Sequence, residues 1–204
     1  MKRLLVIAAA ILIMATTALA GSINNLSTGT ATYTVVEQNS YNMGATGIAS
    51  IVTPSDADWF GGWIANSSSS SWIAYNPTNC CVNGLGSYST TFVLTSANIS
   101  SAALSGSWTV DDSGELLLNG HVIGTLGDGN WGSLQSFAVP SSDFVVGTNT
   151  LTIQITDTDN FLEGVNLQGT LTTSSTTVPE PATITLLGPA LVGLGLWRRK
   201  WLKN

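Results

Sequence analysis

Between Leu4 and Trp197 the chain carries neither lysine nor arginine, so whatever folds there folds without a salt bridge to either cation. All six basic residues sit at the ends: Lys2 and Arg3 at one, Arg198, Arg199, Lys200 and Lys203 at the other. All twelve acidic residues lie between them, eleven of them before Val178, beside a single histidine, His121. Such a segment has to be held by apolar burial and backbone hydrogen bonds. Nucleic acid is excluded as a partner, because gripping phosphates takes cations. A neutral partner or a hard cation such as calcium is electrostatically admissible, and the acidity also serves solubility.

The two ends read as addresses rather than as fold. Residues 1–20 have a basic start, an apolar run from Leu4 to Met14, and small residues at Ala18 and Ala20 before Gly21. That is the layout of a secretory signal peptide cleaved after Ala20, and its apolar run is too short for a spanning helix. Residues 173–177 form a Ser/Thr linker too poor in apolar side chains to pack. The expected domain therefore occupies residues 21–172, a length that makes one domain with a real core. Its two cysteines are adjacent, Cys80 and Cys81. A strained vicinal disulfide, an intermolecular bridge and free thiols all remain open, and no zinc-ligand spacing surrounds them.

Short Thr/Val/Ile/Leu runs alternate with Gly, Asn, Asp and Ser clusters from Ala31 to Thr172, with no sustained helical period. The pattern predicts an all-β fold. Strands are expected at 32–38, 47–53, 71–75, 87–95, 103–111, 115–118, 121–126, 134–139, 148–157 and 164–172. Leu151, Ile153 and Ile155 alternate with Thr152, Gln154 and Thr156, giving one buried and one wet face. Asn119-Gly120 between Leu116–Leu118 and His121–Ile123 is the preferred pair for a two-residue hairpin turn. Asn66–Ser71 reads as a loop. Strands this short and this numerous imply a sandwich or barrel.

The stretch from Trp108 through Asp111, Asp112, Glu115, Asn119 and Gly120 to Gly124, with Phe137 and Gly147–Leu151 downstream, resembles the galactose-binding-like β-sandwich. The resemblance covers roughly Trp59 to Leu171 and implies a jelly roll, a domain that recurs as a sugar-binding or accessory module. Such domains often carry a structural calcium held by early-loop and late-strand oxygens. On that resemblance Asp56, Asp58, Asp157, Asp159 and Glu163 are candidate calcium ligands; solvated loop acids are the plainer reading of the same residues.

After the linker come Val178, Pro179, Glu180 and Pro181, an uncharged stretch over 182–197, and Arg198, Arg199 and Lys200. As a helix the uncharged stretch reaches about 24 Å, short of the ~30 Å bilayer core. Gly188, Pro189, Gly193 and Gly195 weaken it further as a lifelong anchor. The cations stay cytoplasmic, which puts the domain outside the membrane. Residues 178–204 are similar to the PEP-CTERM sorting signal. That resemblance implies recognition by an exosortase, a membrane-embedded cysteine transpeptidase that cuts near the motif, after signal peptidase has acted at the other end. It also implies residence in the inner membrane before processing, then at the cell surface or outside the cell, among proteins of exopolysaccharide and biofilm production. An ordinary C-terminal anchor is the rival reading.

Catalysis has little to work with, since general-base, Schiff-base and oxyanion-clamp roles lack candidates in a segment with one histidine and no lysine or arginine. Asp111, Asp112 and Glu115 read as a solvated strand end and turn rather than as paired catalytic carboxyls. Trp59, Trp63, Trp72 and Tyr75, with Phe60, are candidates for stacking on sugar rings, although a sandwich also uses tryptophan as core filler. The sequence thus points to a non-catalytic exported surface or matrix protein, with exopolysaccharide as candidate partner. A coat or adhesive protein without a defined ligand, and a secreted glycan hydrolase, are the alternatives.

Overall fold

The computed structural model describes residues 21–38, 44–57, 59–75, 84–158 and 162–174. Gly21–Ser175 is one compact unit; a second unit, Met1–Ala20 with Thr176–Asn204, lies outside the described residues. So do both expected terminal helices, Cys80 and Cys81, Asp58 and Asp159.

The described residues form twelve strands: β1 (Gly21–Asn25), β2 (Thr34–Glu37), β3 (Ala45–Ile48), β4 (Ser50–Ile51), β5 (Ile73–Ala74), β6 (Gly84–Leu94), β7 (Ala103–Asp111), β8 (Ser113–Leu118), β9 (His121–Leu126), β10 (Gln135–Ala138), β11 (Gly147–Asp157) and β12 (Gly164–Ser174). The first sheet has the order β10-β7-β12-β5-β4, with β1 also pairing β12; the second has the order β3-β2-β6-β11-β8-β9. Every strand pairing in both sheets is antiparallel. The protein is an all-β sandwich, as its alternating pattern requires.

Register follows from which face must be dry. β11 pairs β6 along its whole length, from Gly147↔Leu94 to Asp157↔Gly84. This turns Leu151, Ile153 and Ile155 into the core, each fully buried. From the first sheet Leu104, Trp108, Val110, Val165 and Leu167 meet them, so one core joins both sheets. Burying each such aliphatic side chain contributes roughly 1.5–3 kcal/mol, and with no cation in the segment nothing else of comparable size is available.

Several boundaries differ from the sequence expectation for local reasons. The expected strand 47–53 is two strands, because the chain changes sheets between Ile48 and Ser50. The expected strand 71–75 shrinks to two residues. β12 continues through Thr173 and Ser174, the first two positions of the expected linker, because β1 pairs with it there (Gly21↔Ser174, Ser22↔Thr173). β1 itself, rich in Ser and Asn, carries no strand signature; its partner makes it a strand.

The hairpin forms where Asn119-Gly120 places it. Leu118 pairs His121, and both turn residues have positive φ, 52° and 83°. The Asn119 side chain also donates to the Asp143 carbonyl and accepts from the Thr150 N–H at 2.9 Å, pinning the turn to its neighbours. Gly120→Ala forces a Cβ into the left-handed region and is expected to cost about 1–2 kcal/mol, read as a lower denaturation midpoint at unchanged slope.

Candidate functional site

Two constellations emerge from this frame, one on the outer face of the first sheet and one inside the sandwich at the end where β2 and β11 finish.

On the outer face, the segment between β4 and β5 is folded down by its own polar side chains. Asp56 Oδ2 accepts from the Thr53 N–H at 2.6 Å and from its hydroxyl at 2.8 Å. Asn66 donates to the Val52 carbonyl and accepts from the Trp72 N–H, both at 2.7 Å, so one amide ties the two sides of the segment. The Ser67 hydroxyl accepts from the backbone of Ser69 and Ser70, which is why a serine run makes a compact turn here.

Beneath this segment lies a small second core of Val52, Trp63, Trp72, Ala74 and Leu162, against which Trp59, Phe60, Ile64 and Trp131 pack half-buried. Trp63 and Trp72 are stacked, with centroids 4.2 Å apart and planes 15° apart. They rest on Gly164, where a Cβ would come within 2.9 Å of Trp63. Both indole N–H groups are committed, Trp63 to Asp111 Oδ2 at 2.6 Å and Trp72 to the Ile64 carbonyl at 2.8 Å. This corrects the sequence expectation for two of its sugar-stacking candidates. Trp63 and Trp72 are 5% and 0% exposed, and each occupies the other's ring face, so neither offers a platform. Tyr75 packs instead against the main core. Trp59 stays half-exposed, edge-on to Trp63 at 5.7 Å. Phe60 meets Trp131 edge-to-face at 5.8 Å. Trp131 was not among the candidates, because it lies far along the chain; the Ile64 N–H to Trp131 carbonyl bond brings it in.

Farther along the same face the side chains turn polar and carry no charge. A groove of about 530 Å³ is lined by Asn25, Ser68, Ser69, Ser105, Gln168 and Thr170 among others. Gly164, Asn166, Gln168 and Thr170 alternate along one face of β12, so groove and aromatic cluster share a floor. A second groove, of about 580 Å³, opens between Asn24–Leu26 and β6; the ring that lines it, Phe92, is buried and packs edge-to-face on Phe144.

The sequence expectation of solvated acids fails for Asp111, Asp112, Asp157 and Glu163, and Glu37, which was not among the candidates, is buried as well. Asp111 lies on the outer face of β7 with the aromatic cluster, while Glu37, Asp157 and Glu163 lie inside the sandwich. Glu37, Asp111, Asp112, Asp157 and Glu163 are all buried, none more than 5% exposed. Asp111 is held by the Trp63 indole, and Asp112 Oδ2 accepts from the Thr158 N–H at 2.9 Å and its hydroxyl at 3.1 Å. The alternation of β2 and β11 turns Glu37 and Asp157 inward, and Glu163, just before β12, meets them from the other sheet. The Tyr88 hydroxyl sits 3.2 Å from Glu163 Oε1 and 3.4 Å from Glu37 Oε1, and accepts from the Tyr75 N–H at 3.2 Å.

Burial, chiefly, pushes the Glu163 carboxyl up to about 8; the neighbouring charge of Glu37 pushes the same way, the Tyr88 hydrogen bond opposes, and Asp157 and a hydrogen bond with Glu37 add to the rise. Tyr88 is raised well above its ordinary range by burial and then by Glu163 and Glu37, so its hydroxyl stays neutral.

Of the candidate calcium ligands, the structure brings Asp157 and Glu163 together and leaves Asp56 spent on Thr53. Among the described residues no group of three or more His, Cys, Asp or Glu side chains is placed to hold a metal ion. The oxygens of Glu37 and Glu163 converge on the Tyr88 phenol, and the candidate ligands Asp58 and Asp159 lie outside the described residues. Buried in this way, Glu37 and Glu163 are unlike a glycosidase pair, which flanks an open cleft. Among the described residues no helix is long and apolar enough to cross a membrane.

No family model matches the chain, and no curated protein matches it. Among solved structures it is similar to the β-glucuronidase of Ruminococcus gnavus (15% identity over 75% of this chain, TM-score 0.41). It is also similar to a CBM35 domain of Cellvibrio japonicus Abf62 (14% identity over 76% of this chain and 95% of that one, TM-score 0.38). A third likeness is to a β-D-mannosidase from Dictyoglomus thermophilum (17% identity over 66% of this chain and 16% of that one, TM-score 0.36). The chain spans 29% of the length of the glucuronidase.

Core and rim tryptophans should separate experimentally. Trp63→Ala removes a buried ring and the indole donor to Asp111, and is expected to cost about 3–5 kcal/mol. Trp59→Ala is expected to cost less than half as much in the same denaturant titration. Equal losses would contradict the assignment of Trp63 to the core.

Proposed function

We propose that this chain is a non-catalytic exported protein of the cell surface or extracellular matrix, whose β-domain binds a neutral polysaccharide on the outer face of its first sheet. The observation that carries this reading is the groove: amide and hydroxyl side chains without a charge, on the same strand face as the half-exposed Trp59, Phe60 and Trp131. Sugars are recognised by this combination, with aromatic rings stacking on the C–H face and amides and hydroxyls exchanging hydrogen bonds with the ring hydroxyls. An eleven-carboxylate domain repels polyanionic glycans, which favours a neutral one. The two-sheet arrangement, with the stretch around Trp108–Gly124, supports a galactose-binding-like jelly roll.

Export rests on the ends. The first strand starts at Gly21, the residue that signal-peptide cleavage would leave first, and pairs with Ser174, just ahead of the sorting-signal-like tail. In this reading signal peptidase and an exosortase process the chain in turn, with the membrane holding residues 182–197 until the second cut.

Two experiments test these parts separately. Titration of the full chain with neutral and acidic exopolysaccharides should show binding to a neutral glycan, weakened about tenfold by Trp59→Ala and by Gln168→Ala, each removing roughly 1–1.5 kcal/mol of contact. Binding unaffected by both substitutions would overturn the assignment of the face; no binding to any glycan would favour a coat or adhesive role, and turnover of one a hydrolase. Intact mass of the protein recovered from the envelope and the medium should lack the residues beyond the Pro179-Glu180-Pro181 motif. A mature form retaining Trp197–Asn204 would refute processing.

A further inference from the structure

The long central strand β6 is covered along one side and only partly along the other. β11 pairs it over all eleven residues, whereas β2 pairs it only from Gly86 to Ser89. Tyr33 accounts for the difference. It is buried, its hydroxyl donates to the Leu26 carbonyl at 2.6 Å, and its carbonyl accepts from the Ala49 N–H at 2.9 Å. Those bonds draw the chain ahead of β2 away from β6 and toward the first sheet. Thr90–Leu94 are left with a strand on one side only. In an antiparallel ladder a residue turns its N–H and C=O to one side, and successive residues alternate. The Leu85 carbonyl accepts from the Gln38 N–H at 2.8 Å, so Leu85, Ser87 and Ser89 face β2. By the same parity Thr91 and Val93 turn their N–H and C=O away from β11, into the groove of about 580 Å³. No described residue bonds these four groups.

We infer that the uncovered half of β6 is a strand-addition site, which takes an extended, uncharged peptide segment of a partner protein in the lane that β2 vacates. Main-chain bonds to Thr91 and Val93 would supply the affinity, as wherever a peptide joins a sheet edge. The free stretch spans about 17 Å, the length of a five-residue strand. Exposed edges are ordinarily guarded by a charge, a proline, a bulge or brevity. β6 has no charged residue and no proline, and it pairs β11 without a register shift. Val93, where a guarding charge would be expected, is a hydrophobic residue 63% exposed. Other edge strands are guarded: β3, β4 and β10 have four residues or fewer, and β9 pairs through a bulge.

The walls of the groove say what kind of strand it takes. Asn24–Leu26 of the first sheet face β6 across it, and Ala31 and Thr32 close its upper end. A slot walled on both sides admits a single extended chain and not the edge of a second folded sandwich, which sets a linear segment above a second copy of this domain. Alternate side chains of that segment would point inward onto Leu26, Ala31 and Phe92 and have to be apolar. Those between would lie beside Thr91 and Val93 on the outer surface, where β-branched residues pack well. No charged residue lines the slot, and the acidity of the domain disfavours an acidic segment. The site belongs to the second sheet, whereas Trp59 and Gln168 lie with the first, so it stands independently of the glycan reading.

The test is residue-resolved amide hydrogen exchange of the full chain, alone and with a capped, uncharged peptide that alternates threonine and valine. Alone, Thr91 and Val93 should exchange quickly while Thr90 and Phe92, bonded to β11, stay protected. The peptide should slow Thr91 and Val93 at least about tenfold, and the same peptide N-methylated at every residue should not. Val93→Pro deletes an N–H that the β6–β11 ladder does not use, and is expected to weaken peptide binding about tenfold. Trp59→Ala should leave it unchanged. Slow exchange at Thr91 and Val93 in the free chain would overturn the site, since the protein's own chain would then fill the slot. So would equal binding of the N-methylated peptide, no effect of the parent peptide, or protection of these amides by a neutral glycan instead. Should Val93→Pro fail to fold, the paired peptides decide on the wild type, because they alter only the partner.

Discussion

Every buried carboxyl in this domain has to be satisfied without a lysine or an arginine. In an ordinary sandwich an arginine or lysine can reach a buried acid and offset its desolvation; here the nearest such residue in the sequence is outside the domain altogether. The substitutes are neutral donors: an indole for Asp111, a hydroxyl and an amide N–H for Asp112, a phenol for Glu163. Each is fixed in place by packing, because a neutral donor attracts a carboxylate weakly and must be pre-positioned to be of use. The Trp63–Trp72 stack is therefore more than core filler: it holds the indole N–H against Asp111 and so ties the outer aromatic cluster to the corner where β7 gives way to β8.

The same constraint gives the outer face its character. With charge excluded from the groove and the large rings committed inward, what remains exposed is a strip of amides and hydroxyls ending at Trp59, Phe60 and Trp131. Selectivity on such a surface comes from shape and hydrogen-bond direction rather than from Coulombic attraction. The acidity elsewhere on the domain acts at longer range, keeping polyanions away.

Much of the fold was legible in advance because it rests on local pattern. The period-2 alternation of β11, the Asn119-Gly120 turn and the serine loop at 66–71 all follow from the residues themselves. Less could be read where a distant partner decides. β1 is a strand only because β12 extends beside it, and Trp131 joins the aromatic cluster through a backbone bond to Ile64. Burial of the acids was hidden for the same reason: Glu37 continues the inward parity of Val35, yet a carboxylate in that position reads as solvated until its partners on other strands are known. Of the tryptophans, position along the chain could not say which ring faces water; the close approach over Gly164 settled it for Trp63 and Trp72.

Placing acids rather than apolar residues at the end of the core has a physical consequence that packing alone does not supply. An apolar plug at Glu37 and Glu163 would hold the sheets together at every pH, and replacing a buried ionisable group by a well-packed apolar one is often neutral or stabilising. With carboxyls there instead, the free energy of closing that end of the sandwich depends on which of them hold a proton. Burial and the neighbouring charge of Glu37 push the Glu163 carboxyl up to about 8, so the charge at this end of the core changes with the medium. Glu163 immediately precedes Gly164, on which the Trp63–Trp72 stack rests, so the buried acids and the outer aromatic cluster adjoin along the chain.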